Sequence, residues 1–317
     1  MNLAALQDLL TTRDPAALVD RVYPRYGTHS QSNHRWSTTD PPLAQFPEDL
    51  EAILDLDPNT GELGYDYDQQ ERRIVAAISQ DAPMLGTLAK GWDAHTLDTC
   101  DVFGYAYPPV PTDPHTHAAN AAWREAISWK GKKDRRRVMG KNFFFSLCYG
   151  KLPKNMMEIP GARALGMSPK RFEDAANRFL AKHPGIRKWM QGVRTRIKLR
   201  PVSRTFLGTR RYSHLRDNEL YRAMLDHPIQ AAAADMVNLV IVQTANKLAG
   251  EVYLRWTKHD FVSWMIPEAH WGRNTCRRVI EVAEQEWEAD GVKFRVPVSA
   301  FTRWYGEEKR AWTGSIS

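Results

Sequence analysis

Cysteine is scarce in this chain, and nowhere does it carry a long unbroken apolar run. The three cysteines, Cys100, Cys148 and Cys276, are odd in number and widely spaced, which argues against a disulfide framework or a CxxC zinc site and leaves reduced, structural thiols. No stretch approaches the ~18 apolar residues of a membrane span. The opening MNLAALQDLLTTRD has no basic segment followed by an apolar core, so no secretory leader is expected and the chain reads as cytoplasmic, with no membrane partner. No internal repeat appears at the periods of solenoid folds. What is present is ordinary globular composition, 43% hydrophobic and 26% charged, in a chain of 317 residues, long enough for one large or two interlocked domains. The net charge of +7 and a pI near 9.3 favour polyanionic partners, nucleic acid above all, although an anionic membrane surface would satisfy the same balance.

Along the chain, LAALQDLL and PAALVDRVY predict one or two short helices before about residue 25, broken at TTRDP, and a polar stretch from Gly27 to Pro47 reads as loop. GELGYDYD predicts a strand and ERRIVAAIS the start of a helix. YAYPPVPTDPHTH, from Tyr105 to His117, is too rich in proline for regular structure. Long helical text follows in DRRRVMGKNFFFSLCYG, in PKRFEDAANRFLAKHPGIRKWMQGVRTRIK and in NELYRAMLDHPIQAAAADMVNLVIVQTANKLAG, where Pro228 predicts a kink. RWTKHDFVSWMIP predicts a hairpin with an acid at its turn, RNTCRRVIEVAEQEWEAD a further amphipathic helix, and VKFRVPVSAFTRWYG a closing strand. The class is α+β, with strands near 60–67 and 253–266 bracketing a helical middle.

Two acids stand at the end or turn of predicted strands: Asp66 in GYDYDQQERR and Asp260 in KHDF. Phosphoryl transfer needs carboxylates that hold Mg²⁺ between the attacking oxygen and the triphosphate, and two distant strands can supply them. Either acid alone reads equally as a turn or cap residue. A third feature is the series Arg137, Lys141, Phe145 and Tyr149, at i, i+4, i+8 and i+12 on one helical face. Two cations and two aromatics in a row suit the phosphates and base of a nucleoside triphosphate. They also suit an amphipathic helix with a packed aromatic end and a solvated basic one.

Taken together these segments resemble family A (DNA polymerase I-like) DNA polymerases. DYDQQERR resembles motif A, Arg137 to Gly150 motif B, and His259-Asp260 motif C. RWSTTDPPLAQFP, DAHT, TFLGTRRY and HPIQAAAAD fall in the family order around them. Seven stretches in that order, over roughly residues 34–312, are far more specific than any one of them.

The resemblance implies a right-hand polymerase fold, with an antiparallel palm sheet and a helical fingers subdomain. It divides the chain into a short N-terminal helical segment (1–33), a first palm part (34–90), fingers (91–195, with a proline-rich insertion near 105–130) and a second palm part (196–317). Asp66, Asp260 and the Tyr67 carbonyl would hold two Mg²⁺ ions, or Mn²⁺. Lys141 and Arg137 would grip the incoming dNTP with help from His95. Phe145 would pack on the sugar, Tyr149 would lie beside the nascent base pair, and Glu71, with Gln69 nearby, would exclude a ribose 2′-hydroxyl. Gln230, Arg73, Arg210, Arg211 and His259 would contact primer-template DNA. The implied activity is template-directed dNTP addition. The alternatives are a polymerase-like binding subunit that needs a partner chain and a single-subunit RNA polymerase, the latter opposed by Glu71.

The chain departs from the family at Phe261, where a glutamate is usual, at Asp68, usually small or neutral, and at Asp226, often asparagine. Glu48 and Asp49 replace an expected arginine after Phe46-Pro47. About 33 residues precede the first resembling stretch, too few for the family's helical thumb or for an exonuclease domain, so a separate chain supplying grip or processivity is expected. The brevity and the RWSTTDPPL form are phage-like.

Overall fold

The computed structural model describes residues 25–27, 37–39, 56–106 and 134–313. The helices expected before residue 25, and the proline-rich segment from residue 107 on, lie outside them. In chain order the strands and α-helices begin with β1 (Arg25–Gly27), β2 (Ser37–Thr39), β3 (Thr60–Tyr67), α1 (Gln70–Ser79), α2 (Ala82–Ala89), α3 (Ala94–Phe103) and α4 (Arg135–Cys148). They continue with α5 (Pro169–Lys182), α6 (Pro184–Leu199), β4 (Val202–Arg204), β5 (Arg210–Tyr212) and α7 (Asp217–Lys247). The last are β6 (Tyr253–Lys258), β7 (Phe261–Pro267), α8 (Arg273–Ala283), β8 (Trp287–Ala289), β9 (Val292–Phe294), β10 (Val298–Trp304) and β11 (Arg310–Ala311). The fold is α+β, and it divides into two compact units.

The first unit comprises the described parts of Met1–Gln70, Ala233–Gln285 and Val296–Ser317. Its centre is an antiparallel sheet in the order β11-β10-β3-β7-β6. β3 is buried on both faces except at Asp66, and its side chains alternate between them. Leu63, Tyr65 and Tyr67 point to one face and are buried, whereas Glu62, Gly64 and Asp66 share the other, where Asp66 is exposed at the strand's end. Gly64 has to be glycine, because a Cβ there would meet the Phe301 ring at 2.4 Å.

The second unit comprises the described parts of Glu71–Ala232 and Glu286–Arg295. Its core is aromatic: Phe143 of α4 stacks on Phe172 of α5 at 6.1 Å and meets Phe179 edge-on at 6.4 Å. α4 approaches α3 so closely at Gly140 that a Cβ would fall 1.7 Å from the Thr99 hydroxyl oxygen. Helix starts are capped by side chains: Asp81 accepts from the Met84 amide, Asp134 from that of Arg136 and Ser168 from that of Arg171. The compact units part at 70/71 and 232/233, so the boundaries read at 90/91 and 195/196 both fall inside the second.

Three expectations need correction. Residues 169–199 form two helices, because Pro184 cannot continue α5 and serves as the first residue of α6 after His183 leaves helical geometry at φ −116°, ψ 72°. Pro228, by contrast, stays inside the continuous α7. The helix expected over RNTCRRVIEVAEQEWEAD ends at Ala283, and its tail becomes β8, joined to β9 by Asp290 (φ 49°) and Gly291 (φ 81°). Two consecutive positive φ values make this a type I′ turn, the usual role of Asp-Gly between short strands. The stretch read as loop contains β2, paired with β1 through Thr38 opposite Tyr26.

Candidate active site

In the sheet unit, β6 and β7 form the expected hairpin, with Lys258 opposite Phe261 and only His259 and Asp260 in the turn. His259 adopts φ 57°, the left-handed region in which histidine, asparagine and aspartate are over-represented among non-glycine residues. β3 runs beside β7 with Asp66 opposite Phe261. Opposed residues in an antiparallel pair have Cα atoms roughly 4.5–5.5 Å apart, and Asp260 is the adjoining residue, about 3.8 Å further along the chain. The Tyr67 amide donates to the Asp260 carbonyl at 3.4 Å. The sheet therefore brings Asp66, Tyr67 and Asp260 to one end of two neighbouring strands. Among the described residues no cluster of three or more His, Cys, Asp or Glu side chains forms a metal cage. The available donor set is two carboxylates and a carbonyl, all oxygen, which suits a hard cation such as Mg²⁺ that keeps several waters of its own.

Phe261 occupies the place where a third acid was expected. Its ring lies nearly parallel to that of Phe301, 6.2 Å away at 9°, and packs on Trp256 at 4.8 Å. The position belongs to an aromatic cluster laid over Gly64. Deeper on the same face, Glu62 is 1% exposed and accepts from Arg255 at 2.9 Å, Ser263 at 2.5 Å and Arg303 at 3.0 and 3.1 Å.

In the helical unit, the stripe read from the sequence lies along α4. Arg137 is bound side-on by Asp93, through Nε at 2.6 Å and Nη2 at 3.0 Å. Lys141 is exposed, with its ammonium 5.9 Å from the Phe145 ring centre, and Phe145 stacks on Tyr149 at 5.8 Å. The Tyr149 hydroxyl donates to Glu71 Oε2 at 2.5 Å, with the Gln230 side chain beside it. Burial, followed by the Glu71 carboxylate, raises the Tyr149 phenol well above its ordinary pKa, so it stays a donor. Glu71, Phe145, Tyr149 and Gln230, singled out separately in the sequence, thus form one cluster.

His95 is 3% exposed and 5.6 Å from Phe145, with Nδ1 2.8 Å from Arg72. Burial and the Arg72 charge hold its pKa well below that of a free histidine, so it is neutral. Arg72 itself is fully buried and paired with Asp98, which also meets Lys182 at 2.7 Å and His183 at 3.2 Å. His183 is 2.7 Å from Asp81 as well. Burial opposes its protonation, but the hydrogen bonds to Asp81 and Asp98 outweigh that and raise its pKa. The sequence reading missed this hub, because two adjacent arginines on a helix look alike and the acids that single out Arg72 come from other elements. Asp93 was visible only as part of DAHT. Arg73, assigned to DNA, is 8% exposed and directed to the Arg295 carbonyl at 3.4 Å. Arg210 is exposed beside the half-buried Arg211, His259 is exposed, and Gln69 turns the chain from β3 into α1 with φ 55°.

Among the described residues no helix is long and apolar enough to cross a membrane. Comparison with known proteins gives matches that run nearly the length of the chain. DNA polymerase I of Geobacillus stearothermophilus is 24% identical over 295 residues, which is 88% of this chain and 30% of that protein. DNA polymerase I of Mycobacterium bovis is 26% identical over 270 residues, 77% of this chain and 27% of that protein. This chain therefore spans less than a third of the length of these relatives. Among solved structures, the POL domain of Pol1 from M. smegmatis in complex with DNA primer-template and dNTP superposes with a TM-score of 0.74 at 20% identity, covering 98% of this chain and 51% of that one. The family described as DNA polymerase family A matches residues 3–306, so the likeness begins well ahead of the RWSTTDPPLAQFP stretch. With a match over nearly the whole sequence and the fold of a polymerase domain, the chain belongs to DNA polymerase family A.

Proposed function

We propose that this chain adds deoxynucleotides to a primer 3′ end under the direction of a DNA template. The observation that carries this reading is the β3–β7 register, which sets Asp66 beside Asp260 at the end of the sheet. Asp66, Asp260 and the Tyr67 carbonyl would hold two Mg²⁺ ions, with Mn²⁺ able to take the same oxygen donors. Such ions, when bound, offset the charge of the triphosphate and make the primer hydroxyl a better nucleophile. The 3′-oxygen forms a bond to the α-phosphorus, the bond to the β-phosphate bridging oxygen breaks, the hydroxyl proton passes to solvent, and pyrophosphate leaves with the electron pair.

Apart from His259 of the β6–β7 turn, the remaining roles fall to side chains of the helical unit. Lys141 offers an exposed ammonium to the triphosphate. Arg137 has its Nε and Nη2 fixed by Asp93, which aims the Nη1 edge at a phosphate while holding the fork rigid. Neutral His95 adds a hydrogen bond without adding charge. Phe145 packs against the sugar and Tyr149 beside the new base pair, and the Glu71 carboxylate held by Tyr149 crowds a 2′-hydroxyl. Gln230, Arg210, Arg211 and His259 contact the primer-template, whereas Arg73 is buried against the Arg295 carbonyl. A separate chain that grips duplex belongs to this proposal.

The test is primer extension by the wild type and by Asp66→Asn and Asp260→Asn, with Mg²⁺ or Mn²⁺. Each variant is expected to lose at least about a thousandfold in rate, or ~4 kcal/mol, while retaining its affinity for primer-template, because removing a negative charge does not weaken attraction to phosphate. A wild type that extends nothing, alone or with the products of neighbouring genes, would overturn the proposal.

A further inference from the structure

One long stretch of this chain carries cations and no carboxylates. Between residues 183 and 216 there are ten Arg and Lys residues and no Asp or Glu, against a net charge of +7 for the whole chain. This segment is α6 and the β4–β5 hairpin, and among the described residues none of its ten cations makes an ion pair. An ordinary solvated helix face intersperses acids among its bases, at i, i+4 above all. Here a run of like charge is tolerated over four helical turns, although self-repulsion works against it.

These elements also enclose a cleft of about 760 Å³ within the helical unit. Lys188 and Arg196 line it from α6 and Arg204 from β4, and all three are exposed. The Arg196 guanidinium lies back along the helix, 3.2 Å from where a Cβ of Gly192 would sit. Trp189 and Phe206 supply aromatic surface, and Phe206 is braced by Trp287 and Phe294 of the β8–β9 hairpin at 6.4 and 5.8 Å. Among the described residues, the only acid lining the cleft is Asp290.

We infer that this cleft binds a segment of single-stranded nucleic acid, with Lys188, Arg196 and Arg204 on separate phosphates and a base against Trp189 or Phe206. Unpaired cations beside half-exposed aromatic rings are what a flexible polyanion with flat bases requires. A polymer fits better than a mononucleotide. Lys188 and Arg196 are eight residues apart, about 12 Å along a helix, and the cations continue beyond the cleft through Lys198 and Arg200. The cleft shares no residue with the proposed metal and nucleotide positions, so it would hold a strand whether or not the chain extends primers.

The test is fluorescence anisotropy of a labelled oligo-dT across a salt series. Each single-strand phosphate contact contributes about 0.7 to the slope of log affinity against log salt, so the K188Q/R196Q/R204Q variant should lower that slope by about 2. The control K154Q/R163Q/R273Q removes three exposed cations from other surfaces and should leave the slope near that of the wild type. W189A should weaken binding roughly tenfold. Thermal melts accompany each variant, and because the three cations are exposed, the charge variant decides the case even if W189A unfolds. Equal losses in the two triple variants would reduce the effect to net charge and overturn the inference. So would binding of phosphatidylserine vesicles that the cleft variant loses while its oligo-dT binding stays intact, which would assign the surface to a membrane. Asp66→Asn separates this result from the polymerase proposal: it should abolish extension and leave oligo-dT binding unchanged.

Discussion

Replacing Glu71 by alanine removes the acceptor of the Tyr149 hydroxyl and empties the space that the carboxylate occupies. A hydrogen bond to a charged acceptor contributes about 1.5–3 kcal/mol, and the half-buried Tyr149 keeps its contact with Gln230, so the loss should fall toward the lower end. For a unit of this size each kcal/mol shifts the melting temperature by roughly 2–4 °C, which predicts a fall of about 3–8 °C and a protein still folded at 25 °C. The effect on sugar choice should be much larger. Excluding one hydroxyl by shape is worth ~10²–10³ in selectivity, and Glu71→Ala should raise ribonucleotide incorporation relative to deoxynucleotide by about that factor. Two further variants separate shape from bonding. Glu71→Gln keeps the volume and an acceptor oxygen, so it should melt near the wild type and admit ribonucleotides only weakly. Tyr149→Phe breaks the same hydrogen bond without opening the space, so it should lose similar stability while moving sugar preference much less. The measurement is the ratio of kcat/KM for matched single-nucleotide insertion of rNTP and dNTP. An unchanged ratio in folded Glu71→Ala would refute the reasoning and leave Glu71 a first-turn helix acid worth only about 0.3–1 kcal/mol.

Asp98→Asn should destabilise by about 3–5 kcal/mol, because it strands the fully buried Arg72 without its countercharge; a loss under 1 kcal/mol by denaturant titration, or no partial recovery in Asp98→Asn with Arg72→Met, would contradict this. The same hub sets a pH dependence. The folded pKa of His183 is raised above 6.5, so its contribution is complete below that value and is lost as pH rises through the folded pKa. The lowered carboxylates Asp81, Asp93 and Asp98 contribute above about 3.8 and lose that contribution in acid. Stability should therefore peak in between, and His183→Gln should flatten only the alkaline limb; a wild-type curve flat from pH 6 to 9 would exclude the raised histidine. Gly140→Ala forces a methyl group to within 1.7 Å of the Thr99 oxygen, so a cost of roughly 1–3 kcal/mol is expected, relieved in part by Thr99→Ala; an unchanged melting temperature would show that α3 and α4 separate freely.

The parts of this protein that the sequence made legible are those whose signal is local or periodic. Alternation marked β3 and its terminal Asp66, the spacing of hydrophobic residues around His259-Asp260 marked the hairpin, and the fourfold spacing of Arg137 to Tyr149 put four side chains on one helix face. What escaped depends on partners far away in the chain. Nothing around Arg137 announces Asp93, which comes from the start of α3, and nothing around Phe261 announces Phe301, which reaches it across the β3 strand at Gly64. The β8–β9 hairpin is a different case. Its Asp290-Gly291 turn was legible, but the run of helix-forming residues before it outweighed two turn residues in a linear reading, until tertiary packing of Trp287 and Phe294 on Phe206 decided otherwise.

The buried Glu62 acts as a pin for strand register. It sits on the central strand and takes one arginine from β10 and another from β6, with the Ser263 hydroxyl of the intervening β7. A slip of one residue between β3 and a neighbour would turn every side chain of the slipped strand to the opposite face. It would also leave an ionised carboxylate or a guanidinium unpaired in the interior, a penalty of several kcal/mol. A neutral apolar residue at position 62 would tolerate neighbouring registers far better. The alignment thus enforced at Glu62 is inherited four residues further along the same strand at Asp66. The spacing between Asp66 and the Asp260 turn is therefore settled while the sheet assembles, and a cation bound there as proposed would meet carboxylates whose positions it does not have to organise.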